Sequence, residues 1–222
     1  MSTTTKARLR AGIVGLAPAV LLLGFAYHPY VSNATDESAL AQAASSDTTR
    51  WGLAHLAIGV GYALLALAFI ALRWYLRDAG EDRWSVRALP LAVLGCALFP
   101  ILTGMEFAPL AAAETGGDVE AVQSELTPWF IPILATAAIS FTLGAVGFAM
   151  GIRRSGVLSK RLTWLVAGAL VVMAAARFVP LGAVQIVIGV AGVAAFWPLA
   201  HAMWSSSGEL PSREPQPIRT SS

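Results

Sequence analysis

Six polar residues stand where a bilayer would make them costly: His28, His55, Thr103, Glu106, Arg177 and Gln185. Each lies inside or at the margin of a long apolar run. Hydrogen-bonding side chains held at that depth are the default place to look for ligand binding or proton movement. Thr103 precedes Glu106 by three positions, so the two share a helix face one turn apart. Glu106 and Arg177 carry opposite charges at a similar depth on different runs. They are expected either to pair or to send their long side chains to water. His28, His55 and Glu106 form an acceptable donor set for zinc, and two imidazoles are the axial ligands some haems use. The spacing supports neither, because the chain has no HxxxH or HExxH. The six residues are therefore read as a candidate ligand-binding set, with no catalytic residue, metal or cofactor assigned.

Other chemistry-bearing patterns have plainer readings. Trp51, His55, Gly59 and Tyr62 share one helix face, which suits an interfacial tryptophan above a close-packing glycine. Thr136, Ser140, Gly144, Gly147 and Gly151 form a small-residue stripe that lets helix backbones approach. No base accompanies Ser140, and the chain has no GxSxG elbow and no phosphate loop. Cys96 is the single cysteine, which excludes an intramolecular disulfide and a CxxC redox motif.

The elements that must position these residues are long apolar helices. The 222 residues are 56% hydrophobic and only 13% charged, and the mean hydropathy is +0.66. Crossing the hydrocarbon takes about 20 apolar residues in a helix. Six runs meet that need, at about 11–27, 51–75, 88–108, 129–150, 162–179 and 183–204. The fold class read from them is an all-α integral membrane bundle of six transmembrane helices, as one domain over 1–204. The Ser- and Pro-rich tail, 205–222, is expected to be disordered and cytoplasmic. The run at 11–27 has the basic start of a signal peptide, but Tyr27-His28-Pro29-Tyr30 is a poor cleavage site, so it is read as a retained helix.

Charge sets the orientation. With the amino terminus inside, 13 of the 15 basic residues fall on cytoplasmic segments, leaving Arg50 and Arg177 toward the outside. That bias follows the positive-inside rule over short loops and predicts both termini in the cytoplasm. It also accounts for the pI near 9.0 without a nucleic-acid partner. Arginine outnumbers lysine 13 to 2, a composition typical of high-GC bacteria, so the expected home is a bacterial cytoplasmic (inner) membrane.

The outer His28-Pro29, a polar loop, then Trp51-Gly52-Leu53-Ala54-His55 opening the next span resembles a pattern in uncharacterised multi-pass membrane proteins of high-GC bacteria. The resemblance covers the first two spans, with the rest following only in hydropathy. It implies a similar bundle and brings no catalytic residues. The function expected is a non-enzymatic membrane protein that binds or passes a small-molecule ligand through the outer polar cluster, with the lipid bilayer as its surroundings. Two alternatives stay open: an accessory or scaffold subunit with a membrane-protein partner, and a metal- or haem-dependent membrane enzyme.

Overall fold

A computed structural model describes residues 3–33 and 36–206. The tail from 207 onward lies outside the described residues, while Ser205 and Ser206 still belong to the last helix. Among the described residues eight α-helices follow in order: α1 (Thr3–Tyr27), α2 (Glu37–Ser46), α3 (Thr48–Asp78), α4 (Trp84–Met105), α5 (Phe107–Thr115), α6 (Val119–Ser155), α7 (Lys160–Ala175) and α8 (Ala183–Ser206). A single 3-10 turn, Ala176–Phe178, extends α7. Six helical stretches are long and apolar enough to cross a membrane: α1, α3, α4 continued by α5, α6, α7 with its turn, and α8. The fold is an all-α bundle of six transmembrane spans.

The spans form a ring in chain order. Neighbours in sequence pack on one another, and α8 closes the ring against α1. Small residues make the contacts close, because lipid offers apolar surface as readily as another helix does and packing must come from backbone approach. A Cβ on Gly144 of α6 would lie 2.5 Å from the Ala92 nitrogen of α4, and one on Gly95 would lie 2.6 Å from the Phe141 nitrogen. From Gly144 to Gly151 the small-residue stripe of the fourth span packs against Ala92, Ala88 and Glu81, while Thr136 at its start is exposed.

Two short helices cap one end of the ring. This end holds two regions read as loops from sequence. α2 lies within 28–50, with Asp36 accepting the Ala39 N–H at 3.0 Å. α5 lies within the acidic segment, and α6 begins ten residues before the expected span at 129, with Asp118 accepting the Ala121 N–H at 3.0 Å. These carboxylates satisfy free amides at helix starts. Val31, Ala41, Ala44, Trp51 and Val119 form a small second core beneath the cap. The segment after α1 also ties to the turn before α8, where Asn33 bridges to Leu181 and the Gly182 N–H donates to the Ser32 carbonyl at 3.3 Å.

At the opposite, basic end Glu81 caps α4. Its two carboxylate oxygens accept the Trp84 N–H at 2.7 Å and the Ser85 N–H at 3.1 Å. Burial alone would raise this carboxyl, but the hydrogen bonds outweigh it and hold Glu81 below the ordinary carboxylate range.

Candidate functional site

Along the ring axis, aromatic side chains from opposite helices meet. Phe69 of α3 touches Phe148 and Phe141 of α6, with ring centroids 4.8 and 5.9 Å away, and Phe196 of α8 at 5.3 Å. Neither α6 nor α8 neighbours α3 around the ring, so these contacts run through its interior and fill its middle.

Above this layer, toward the capped end, sits Arg177. Its guanidinium carbon lies 3.9 Å from the Phe141 ring centroid, 5.1 Å from that of Phe99 and 5.4 Å from that of Tyr62. The Tyr62 and Phe99 rings stack on each other at 4.3 Å. Side chains of α3, α4 and α6 therefore enclose a cation delivered by the turn after α7. Its Nη1 donates to the Met173 carbonyl, four residues back, so the head group lies a turn deeper than its own Cα. Snorkelling would have sent it the other way.

Nε and Nη2 of Arg177 are sealed from solvent and have no hydrogen-bond partner among the described residues. These two atoms form one edge of the guanidinium plane, the edge that meets a carboxylate through two parallel bonds. A ring stacked on the face of a guanidinium offsets part of its charge. The ring faces supply no acceptor in that plane; the Tyr62 hydroxyl lies close enough to act on the guanidinium but makes no hydrogen bond of normal geometry to Nε or Nη2.

The Glu106–Arg177 ion pair, one of the two arrangements the sequence left open, is not formed. Among the described residues the ion pairs are Arg73–Asp82 and Arg77–Asp78, both at the basic end. Glu106 instead accepts from the Gln123 side chain at 3.0 Å. The physical reason is the break between α4 and α5. Pro109 has no N–H for the Met105 carbonyl, so the helix stops there and swings Glu106 toward the extended start of α6. One turn on, the Thr127 hydroxyl donates to Glu37 of α2 at 2.8 Å. Together these bonds clamp the cap over the ring.

The two histidines do come together. Their ring centroids are 4.8 Å apart, and Trp51 lies 4.9 Å from His28 and 4.6 Å from His55. His55 Nδ1 lies 2.9 Å from the Trp51 carbonyl and His28 Nδ1 lies 2.7 Å from that of Pro29. A carbonyl only accepts, so each Nδ1 carries the proton and each neutral ring keeps its lone pair on Nε2. Burial, then the nearby Arg50 cation, push the His28 pKa down against the upward pull of the Pro29 bond. Rings this close leave no gap for a macrocycle between them. No group of three or more His, Cys, Asp or Glu converges among the described residues.

Thr103 is spent locally. Its hydroxyl returns to the Pro100 carbonyl at 3.0 Å, and it fills the space over Gly59, where a Cβ would stand 2.8 Å from its oxygen. Gln185 is half-buried in the first turn of α8, where its backbone N–H bonds to the Gly182 carbonyl at 3.2 Å. Of the six candidates the fold thus joins His28 to His55, and the polar contacts described for Thr103, Glu106, Arg177 and Gln185 go to other residues. Sequence reasoning missed Gln123, Phe99 and Phe141. The polar position Gln123, one turn after the Asp118 cap, was a usable signal, whereas nothing distinguishes two phenylalanines among nine. No protein-family model, curated protein or solved structure matches the chain.

Proposed function

We propose that this protein is a non-enzymatic multi-pass membrane protein that binds a small carboxylate-bearing anion in the capped half of its ring. One observation carries the reading: the Nε and Nη2 edge of Arg177 is buried, fixed in direction by the Met173 carbonyl, and among the described residues meets no carboxylate and no hydrogen bond of normal geometry, with only the neutral Tyr62 hydroxyl beside the guanidinium. A buried cation without a countercharge is costly, and an unsatisfied buried donor adds about 1–3 kcal/mol. An oxyanion meeting that edge offsets both costs at once. The surrounding Tyr62, Phe99 and Phe141 rings suit a ligand whose remainder is small or apolar. The charge distribution further supports a bacterial inner membrane with both termini in the cytoplasm, so the Arg177 side faces outward.

The test is thermal stability of the purified protein in detergent with acetate, pyruvate, chloride or acetamide added. A ligand that binds only the folded state raises the Tm. Acetate or pyruvate should raise it, and Arg177→Gln should abolish the rise. Acetamide has the shape of acetate without its charge. An equal rise with acetamide, or a rise retained in Arg177→Gln, refutes the reading.

A further inference from the structure

The ring has a second cationic feature on its interior, at the opposite end. A cavity of about 560 Å³ opens there, lined by α1, α3, α8 and Val157 from the link between α6 and α7. Lys6 and Arg10, one turn apart on α1, line it together with Tyr75 and Ser206, with the Arg10 guanidinium 5.6 Å from the Trp74 ring centroid. Neither cation has a carboxylate partner among the described residues, and Asp78, which also lines the cavity, is held by Arg77 at 3.3 Å. Val157 lies across the ring from α1 and α3, so this cavity is the axial mouth and not a groove on the lipid-facing side.

α3 orders the interior. Tyr62 stacks beside Arg177, Phe69 is seven residues further on, and Tyr75 lines the mouth six residues beyond that. At 1.5 Å per residue the stretch of α3 from Tyr62 to Tyr75 is about 20 Å long. Its middle is the layer of Phe69, Phe141, Phe148 and Phe196. Phe141 belongs to both parts, with one contact to Phe69 and one to the Arg177 guanidinium. An anion moving from Arg177 along the axis would have to part this packed apolar layer before reaching the basic end. Apolar constrictions gate by excluding water, and conduction needs sites at both ends that bind without trapping.

From this arrangement we infer that the ring is an anion passage, with Arg177 as its binding site, the phenylalanine layer centred on Phe69 as its gate, and Lys6 and Arg10 as its mouth. This rests on the proposed anion binding at Arg177 and adds passage to it. Phe69 is a gating residue and touches no bound anion in the closed state.

The experiment is uptake of labelled pyruvate into proteoliposomes, a probe that is ionised at neutral pH and permeates lipid poorly. Wild-type vesicles should take up more label than protein-free ones, and Arg177→Gln should remove the excess. Phe69→Ala should raise uptake by about tenfold by widening the constriction. Phe148→Ala serves as a second variant should the first fail to fold. Lys6→Gln with Arg10→Gln should lower uptake at limiting pyruvate. Uptake by wild type no greater than by empty vesicles, and unchanged in both phenylalanine variants while acetate still raises the Tm, overturns the passage and leaves a dead-end binding site. Absence of the Tm response itself removes the binding reading and the passage with it.

Discussion

His28 and His55 meet edge to face, 4.8 Å between ring centroids, across the junction where α1 ends and α3 begins. The link is reinforced by Arg50, whose Nε donates to the Tyr27 carbonyl at 2.7 Å, satisfying an orphan acceptor at the end of α1. The two helices are therefore joined at the capped end through neutral imidazoles and a cation spent on backbone. Protonating His28 would place a second positive charge beside Arg50 in a half-buried site.

The pH dependence follows from that contact. Burial, with Arg50 adding to it, lowers the folded pKa of His28 below its ordinary value of 6.5. The unfolded chain then binds the proton more readily than the folded one, so this contribution is fully present above about pH 6.5 and is lost as pH falls toward the folded value. Tm measured from about pH 7.5 down to about pH 5 should fall, and His28→Gln should flatten that fall. An identical slope in the variant shows that His28 is not charged on unfolding.

Helix approach gives a sharper contrast among glycines. Gly144→Ala forces a methyl against the Ala92 backbone, and Gly182→Ala forces one onto the Val31 carbonyl. Each should destabilise by about 1–3 kcal/mol or more, since neither neighbour is a flexible side-chain end. Gly168→Ala on the exposed face of α7 meets nothing within 4 Å. It should be neutral or gain up to about 1 kcal/mol from helix propensity. Denaturation in mixed micelles reads all three, and equal losses would deny that α4 and α6 are in backbone contact.

The spans were legible because hydrocarbon thickness leaves its mark on hydropathy, residue by residue. The cap was not. α2 and α5 are short helices of mostly small residues between polar ends, and such segments look like loops until a partner surface buries one side. The stop at Met105 could have been read from Pro109, whose missing N–H ends the ladder four residues earlier. The direction of Arg177 could not. Depth along a helix follows from position, but whether a long side chain reaches toward water or toward three aromatic rings depends on helices more than thirty residues away in sequence.

Cys96 supplies a test of the span arrangement. It is fully buried between α4 and its neighbours, so maleimide should leave the native protein unlabelled. In a Cys96→Ala background, Ser38→Cys and Gly117→Cys at the capped end should label together from one side of the membrane. Ser155→Cys, at the far end of α6, should label only from the other. Co-labelling of Ser38→Cys and Ser155→Cys in sealed cells contradicts a ring that spans the bilayer.

Glu106 provides a cycle that separates two partners. Glu106→Gln and Gln123→Ala should be non-additive, with a coupling on the order of 1 kcal/mol, because they share the 3.0 Å hydrogen bond. Glu106→Gln and Arg177→Gln should be additive within about 0.5 kcal/mol. A strong second coupling together with a vanishing first would return the charge pair that the break at Met105 prevents.

Arg177→Met separates what the cation costs from what it does. An arginine costs up to about 2.5–3.5 kcal/mol at the middle of a span on insertion scales and less near its end, where Arg177 sits. The three aromatic faces offset some of that, each by about 0.5–2 kcal/mol. Replacing a buried ion with an apolar side chain of similar volume is often neutral or stabilising. Arg177→Met should therefore leave the ligand-free protein as stable as before, or raise its Tm, while removing the response to acetate. Arg177→Lys should keep the charge but lose the two-pronged edge, so its acetate response should weaken without any gain in stability. If Arg177→Met instead unfolds the bundle, the arginine is a structural clamp for Tyr62, Phe99 and Phe141, and its unpaired edge says nothing about a ligand.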